Sequence, residues 1–148
     1  MQDADPISSL YRLLLVADRH MRVETSPCLT KDHLNEEQYR ILLACEEPRV
    51  HSFKEIRERA LLSGAALSLN IDRLAQRQLV EKIVHPEHAR RSSAQITGAG
   101  RDLIEQVREQ VEHTHARIEE RFGTTQTSML KTLLLEFNRA YGESGSPV

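Results

Sequence analysis

The sequence predicts a mainly α-helical chain with one two-stranded β wing past its midpoint. Three observations carry this expectation. Apolar residues recur at steps of three and four over most of the chain. Capping residues (Ser, Thr or Asn) stand just ahead of several of those stretches. Only residues 79–97 replace the helical rhythm with two short alternating runs around a polar, basic loop. A length of 148 residues suits one domain with its own core, and 28% charged residues against 39% from the set AVILMFWYC fits a folded chain rather than a disordered tail.

Taken in order, Ile7, Leu10, Tyr11, Leu14, Leu15 and Met21 fall on one helical face, and Asp5 with Pro6 marks a start. Thr25 to His33 breaks that pattern, so the first helix is expected to end there. Asn35 followed by Gln38 forms a capping box for a second helix that runs to about Glu46, ahead of Pro48. Ser52 followed by Glu55 opens a short third helix. Ser63 caps a fourth, in which Leu67, Ile71 and Leu74 share a face. Leu79 to Val84 and Ala94 to Thr97 are the two strands of the wing. Thr97 then caps a long helix of about 35 Å, with a polar break expected at Thr114 and His115. A last helix, from about Thr125 to Tyr141, presents Met129, Leu130, Leu133, Leu134, Phe137 and Tyr141. With the first helix it makes an apolar surface from the two ends of the chain, whose simplest cover is a second copy.

The net charge of −2 conceals an uneven distribution. Arg49 to Arg91 holds nine bases and five acids, a local +4, and the remainder holds 11 bases and 17 acids, or −6. A basic middle between acidic ends suits one surface facing nucleic acid; an ordinary solvated surface is the alternative. The acidic start MQDADPISSL and the short apolar runs point away from a signal peptide or a membrane span. Cys28 and Cys45 make no disulfide framework, so a reducing cytoplasm is expected.

Helix, helix, turn, helix, strand, basic loop, strand, long helix and helix is an order with known precedent. From Leu34 to Leu135 the chain resembles the MarR family of winged-helix transcription regulators. LNEEQYRILL, SGAALSLNIDRLAQRQLVEK and HPEHARRSSAQITGAGR carry the resemblance. It implies a winged helix-turn-helix with N- and C-terminal dimerisation helices, all in one domain spanning 1–148. Residues 34–97 would be the DNA-binding lobe, and 1–33 and 98–148 the dimerisation helices. The implied activity is that of a homodimeric repressor on a pseudo-palindromic operator, with no enzyme activity and no cofactor.

In a helix-turn-helix the start of the second helix meets base edges while neighbouring parts hold phosphates. This places Ser63, Gly64, Ala65, Ala66, Ser68 and Leu69 nearest the bases. The serines supply hydrogen bonds and the alanines contact for a thymine methyl; for Ser63, service as a helix cap fits equally well. Arg73 and Arg77 would reach the DNA backbone or pair with Asp72 or Glu81. Arg90 and Arg91 stand on the wing, suited to the minor groove and its phosphates. The family's wing motif, Asp-x-Arg, has His88 here in place of the acid, which leaves Arg90 without that anchor. Leu69 stands where many relatives carry a basic or polar contact, and Gln78 where a glycine usually ends the recognition helix. Direct readout therefore looks thin, and specificity is expected to lean on wing contacts and DNA deformability rather than on a dense set of base hydrogen bonds.

The resemblance also implies a sensor. Arg19, His20, Arg22, Tyr39 and Arg40 would line a crevice for a small aromatic or anionic effector, with interhelical pairing as the bland reading. Cys28, near His33, is the candidate for a redox-responsive alternative. For a metal-responsive one, Glu24, Cys28, His33, Glu112, His113 and His115 are suitable donors, but only Cys28 matches a ligand position of zinc-sensing relatives, so no metal site is expected. The GAG at Gly98 to Gly100 lacks the third glycine and the βαβ unit of a dinucleotide site. A winged helix that binds only protein remains the competing class.

Overall fold

A computed structural model describes residues 9–87 and 91–142. Six helices and three short strands follow in the order α1 (Leu10–Thr30), α2 (Glu36–Ala44), β1 (His51–Ser52), α3 (Phe53–Ala60), α4 (Gly64–Gln76), β2 (Val80–Ile83), β3 (Ser93–Ile96), α5 (Gly98–Phe122) and α6 (Thr124–Gly142). The expected capping residues act as caps. Asn35 and Gln38 close a reciprocal box, while Ser52, Ser63 and Thr97 accept from the backbone N–H groups of Glu55, Ala66 and Gly100.

Three expectations are corrected. The first helix does not stop at Thr25 to Cys28 but continues through Pro27 to Thr30. Proline costs it one intrahelical bond. In return Leu29, only 1% exposed, reaches the core. The expected start at Asp5, Pro6 and Ile7 lies outside the described residues; Ser9 caps the described helix by accepting from the N–H of Arg12. The long helix has no break at Thr114 and His115, because Thr114 is buried against α1 and belongs to the packed face. The wing's two strands pair antiparallel, Val80 opposite Ile96 and Ile83 opposite Ser93, and a third strand, β1, adds to the other edge of β3 to give the order β1-β3-β2. Two residues were too few to show alternation in the sequence.

Ile41, Leu42, Ile56, Leu67, Ile71, Leu74, Ile104 and Val107 form the centre of the core, where α2 packs on α3, α4 and α5. Gly100 belongs to that packing. A Cβ there would stand 2.2 Å from the Leu79 carbonyl oxygen, so the GAG sequence serves a close approach of α5 to the start of β2. Outside the core the picture differs. Of the 21 residues of α1 only Thr25 and Leu29 are buried, and of the 19 of α6 only Thr127. Leu10, Tyr11, Leu13 and Leu15 on α1 and Met129, Leu133, Leu135 and Tyr141 on α6 are all exposed. Among the described residues no helix is long and apolar enough to cross a membrane.

Candidate nucleic-acid interface

The outward face of α4 is set by what its inner face must do. Leu67, Asn70, Ile71 and Leu74 are buried, which leaves Gly64, Ala65, Ser68, Leu69, Asp72, Arg73 and Gln76 exposed; Ala66 is half-buried. Ser63 points its oxygen at the Ala66 N–H, 3.2 Å away, so its cap function is satisfied within the helix. Asn70, a residue the sequence did not single out, donates from Nδ2 to Glu37 of α2 (2.7 Å) and to the Ala66 carbonyl (3.0 Å). It fixes α4 on α2 through a buried polar link.

The basic residues divide into two sets. Arg77 pairs with neither of the acids expected as its partners. It donates to the carbonyls of His33 (2.7 Å) and Asp32 (3.1 Å), across the joint between α4 and the end of α1. Asp72 is paired instead with Lys82, at 2.7 Å. Arg49 lies between Glu47 and Glu55, and Arg59 approaches both at 3.5 Å. This arrangement, led by the Arg49 hydrogen bond, holds the Glu55 carboxyl down to about 2. His51, wholly buried on β1, places Nδ1 3.4 Å from Glu55 and Nε2 3.1 Å from the Glu47 carbonyl. Among the described residues, Lys54, Arg57, Arg73 and Arg91 are exposed and make no ion pair. Lys54 and Arg57 on α3 were counted in the basic segment but not foreseen as candidates. Arg91 stands at the root of the wing, next to Ser92, whose carbonyl accepts from the Phe53 N–H. Arg90 and His88 lie outside the described residues.

Residues 34–92, which hold α2, the α3–α4 pair and most of the wing, match the sequence model of the MarR family. It is over this segment that the likeness to the MarR family is shown. The HTH-type transcriptional regulator FarR of Neisseria gonorrhoeae is 26% identical over 123 residues, covering 83% of this chain and 84% of FarR. Two solved structures share the fold. NadR in complex with 4-hydroxyphenylacetate superposes with a TM-score of 0.80 at 24% identity, over 93% of this chain and 100% of its own. A variant of MarR from E. coli complexed with operator DNA gives 0.78 at 19% identity, over 93% and 99%.

The five residues expected to line one effector crevice are dispersed. Arg22 and Tyr39 come together in a cavity of about 100 Å³, with Asp18, Met21, Thr25, Glu36, Val111 and His115. Arg22 is already paired there with Asp18, and burial pushes the Tyr39 phenol above its ordinary pKa, so it stays a neutral donor. Arg40 instead donates to the Ala60 carbonyl at 2.9 Å and closes the end of α3. His20 lies in a separate groove of about 620 Å³ with Glu24, Arg117 and Phe122, and Arg19 is exposed on α1. Thr25 and His115, not among the five expected in the crevice, contact each other at 3.3 Å. Their positions 90 apart gave no signal.

Cys28 faces α5 rather than His33. Its sulfur is 3.3 Å from the Thr114 hydroxyl and 3.7 Å from the Gln110 carbonyl, both neutral groups. Cys45 is buried, and desolvation pushes its thiol up to about 12. Among the described residues no three or more His, Cys, Asp or Glu are gathered as a metal ion would require.

Proposed function

We propose that this chain is a cytoplasmic, homodimeric repressor of transcription of the MarR family. It binds a pseudo-palindromic operator in double-stranded DNA and is released by a small aromatic anion. The observation that carries the reading is the division of the exposed surface. The lobe of residues 34–97 turns the start of α4 outward beside unpaired cations, while α1 and α6, the first and last helices of the flanking segments 1–33 and 98–148, bury only Thr25, Leu29 and Thr127. A second copy covering α1 and α6 presents two α4 helices with two-fold symmetry, and half-site centres about 10 bp apart. Arg73, Arg91 and Arg90 hold phosphates or the minor groove, and Gly64, Ala65, Ser68 and Leu69 face bases.

Effector release is supported by the fold likeness to NadR, whose solved complex holds an aromatic acid, and by Arg22 and Tyr39 sharing a cavity. A carboxylate entering that cavity must displace Asp18 from Arg22, and one of the size of 4-hydroxyphenylacetate needs more room than about 100 Å³. The cavity therefore opens as the ligand enters, and such a change links ligand to DNA affinity. Sedimentation at micromolar concentration, gel shifts on the DNA upstream of the gene, and a screen of phenolic acids test the three parts. A dimer, salt-dependent retardation and ligand release support the reading. A stable monomer that still binds DNA overturns the dimer, and the absence of retardation at any salt favours a winged helix that binds only protein. Release by peroxide that is lost in Cys28→Ser, with no phenolic acid active, replaces the effector by an oxidant.

A further inference from the structure

The outward face of α4 is short of hydrogen-bonding groups in the two turns that would meet bases. From Gly64 to Asn70 the exposed side chains are Ala65, Ser68 and Leu69, and Asn70 is withdrawn to Glu37. Leu69 is 52% exposed in the middle of the helix, although Leu67, Ile71 and Leu74 on the inner face already meet the needs of the core. One turn before it, Ala65 lies on the same row, and one turn after it comes the unpaired Arg73. The next polar group along the neighbouring row, Asp72, is held by Lys82. An exposed leucine alone is unexceptional. This one stands apart from the apolar surface of α1 and α6, and it is flanked on its own row by a cation suited to a phosphate.

The major groove displays a single apolar group, the 5-methyl of thymine. We propose that Leu69, with Ala65 beside it, is the specificity-determining residue of this chain, reading a thymine methyl in each half-site. The inference rests on the DNA-binding reading and deepens it. A methyl removed from water against Leu69 contributes about a fourfold gain in affinity per half-site. Cytosine at that position loses the contact, and uracil loses it while keeping every base-pairing hydrogen bond.

The test starts with duplexes selected by the parent protein from random DNA. Each thymine of the selected site is then replaced in turn by deoxyuridine, and binding is measured for the parent and for Leu69→Ala. Leu69 is exposed, so the helix should persist in the variant, and circular dichroism verifies this. Leu69→Met, which keeps an apolar side chain of similar volume, serves as a second variant. The expected result is one thymine per half-site where uracil weakens the parent about fourfold, leaves Leu69→Ala unaffected and weakens Leu69→Met nearly as much as the parent. Equal sensitivity of parent and Leu69→Ala at every thymine, or no sensitive thymine at all, overturns the proposal while leaving DNA binding intact. Failure of the parent to select any duplex overturns the DNA-binding reading itself and this proposal with it.

Discussion

Arg77 and Arg73 are one helical turn apart in sequence but do different work, and their alanine variants should separate stability from DNA affinity. Arg77 makes two charge-assisted hydrogen bonds, to the His33 and Asp32 carbonyls at 2.7 and 3.1 Å. Hydrogen bonds of charged groups are worth about 1.5–3 kcal/mol each when shielded. Here the guanidinium is exposed, and screening reduces the pair to about 1–2 kcal/mol. For a chain of 148 residues, that loss lowers the melting temperature by about 3–6 °C at fixed protein concentration. Because Arg77 is committed to carbonyls, Arg77→Ala should leave the slope of log affinity against log salt unchanged. Arg73, exposed and unpaired among the described residues, should behave in the opposite way: the same melting temperature, and a slope smaller by about one unit if it holds a phosphate. Thermal denaturation and gel shifts at four or more salt concentrations measure both. The reasoning is refuted if Arg77→Ala melts within about 1 °C of the parent and loses a unit of salt slope.

Two further variants probe the lobe's own construction. Gln78 ends α4 with φ of 57°, donating to the Ala75 carbonyl, while the next N–H, of Leu79, closes on Leu74. Glycine removes a left-handed cost of about 1–2 kcal/mol and adds about 0.4–1 kcal/mol of unfolded-state freedom. Gln78→Gly should therefore gain roughly 0.5–1 kcal/mol in urea unfolding; no gain would show that the turn is relaxed with glutamine. Glu55, held to about 2 by the Arg49 hydrogen bond first and by His51 as well, has a folded pKa below its ordinary 4.5. Its contribution to stability is present above about 4.5 and is lost as pH falls toward about 2. Unfolding free energies between pH 6 and pH 2.5 should fall less steeply in Glu55→Gln than in the parent.

Local signals made most of the fold legible. The capping residues and the periodicity of Leu67, Ile71 and Leu74 located α4 because a cap and a buried face are properties of neighbouring residues. Pro27 misled the reading of α1, since the cost of one missing bond is visible in the sequence while the packing of Leu29 that offsets it is not. Strand β1 escaped because its evidence is a partner 41 positions away, Ser93 opposite Ser52 within a register that also pairs His51 with Ala94. The same limit applies to the site. Sequence position grouped Arg22, Tyr39 and Arg40 together, but adjacent helical residues point in different directions, so Tyr39 faces α1 and α5 while Arg40 reaches α3. For Arg77, nothing nearby in sequence reveals the two carbonyls it holds, which lie 44 and 45 residues away.

Those two carbonyls give α1 a double membership. Its first two turns carry Leu10, Tyr11, Leu13, Leu15 and Val16 into solvent, where a partner copy is the natural cover. Its last turn belongs to the lobe, with Leu29 in the core and the chain reversing at His33 with φ of 56°. The reversal is held from two sides, by Arg77 of α4 on the carbonyls and by Gln106 of α5 on the Asp32 carboxylate at 3.0 Å. The cavity of Arg22 and Tyr39 lies along α1 between its exposed part and this reversal. A displacement of α1 at the cavity must therefore either stretch the Arg77 hydrogen bonds or carry α4 with it. Under the proposed binding to two half-sites one helical turn apart, rotation of α4 would break the match to DNA. The cavity of Arg22 and Tyr39 and helix α4 are thus linked by named hydrogen bonds as well as by proximity, and coupling between them would follow if both bias the same two-state movement of α1.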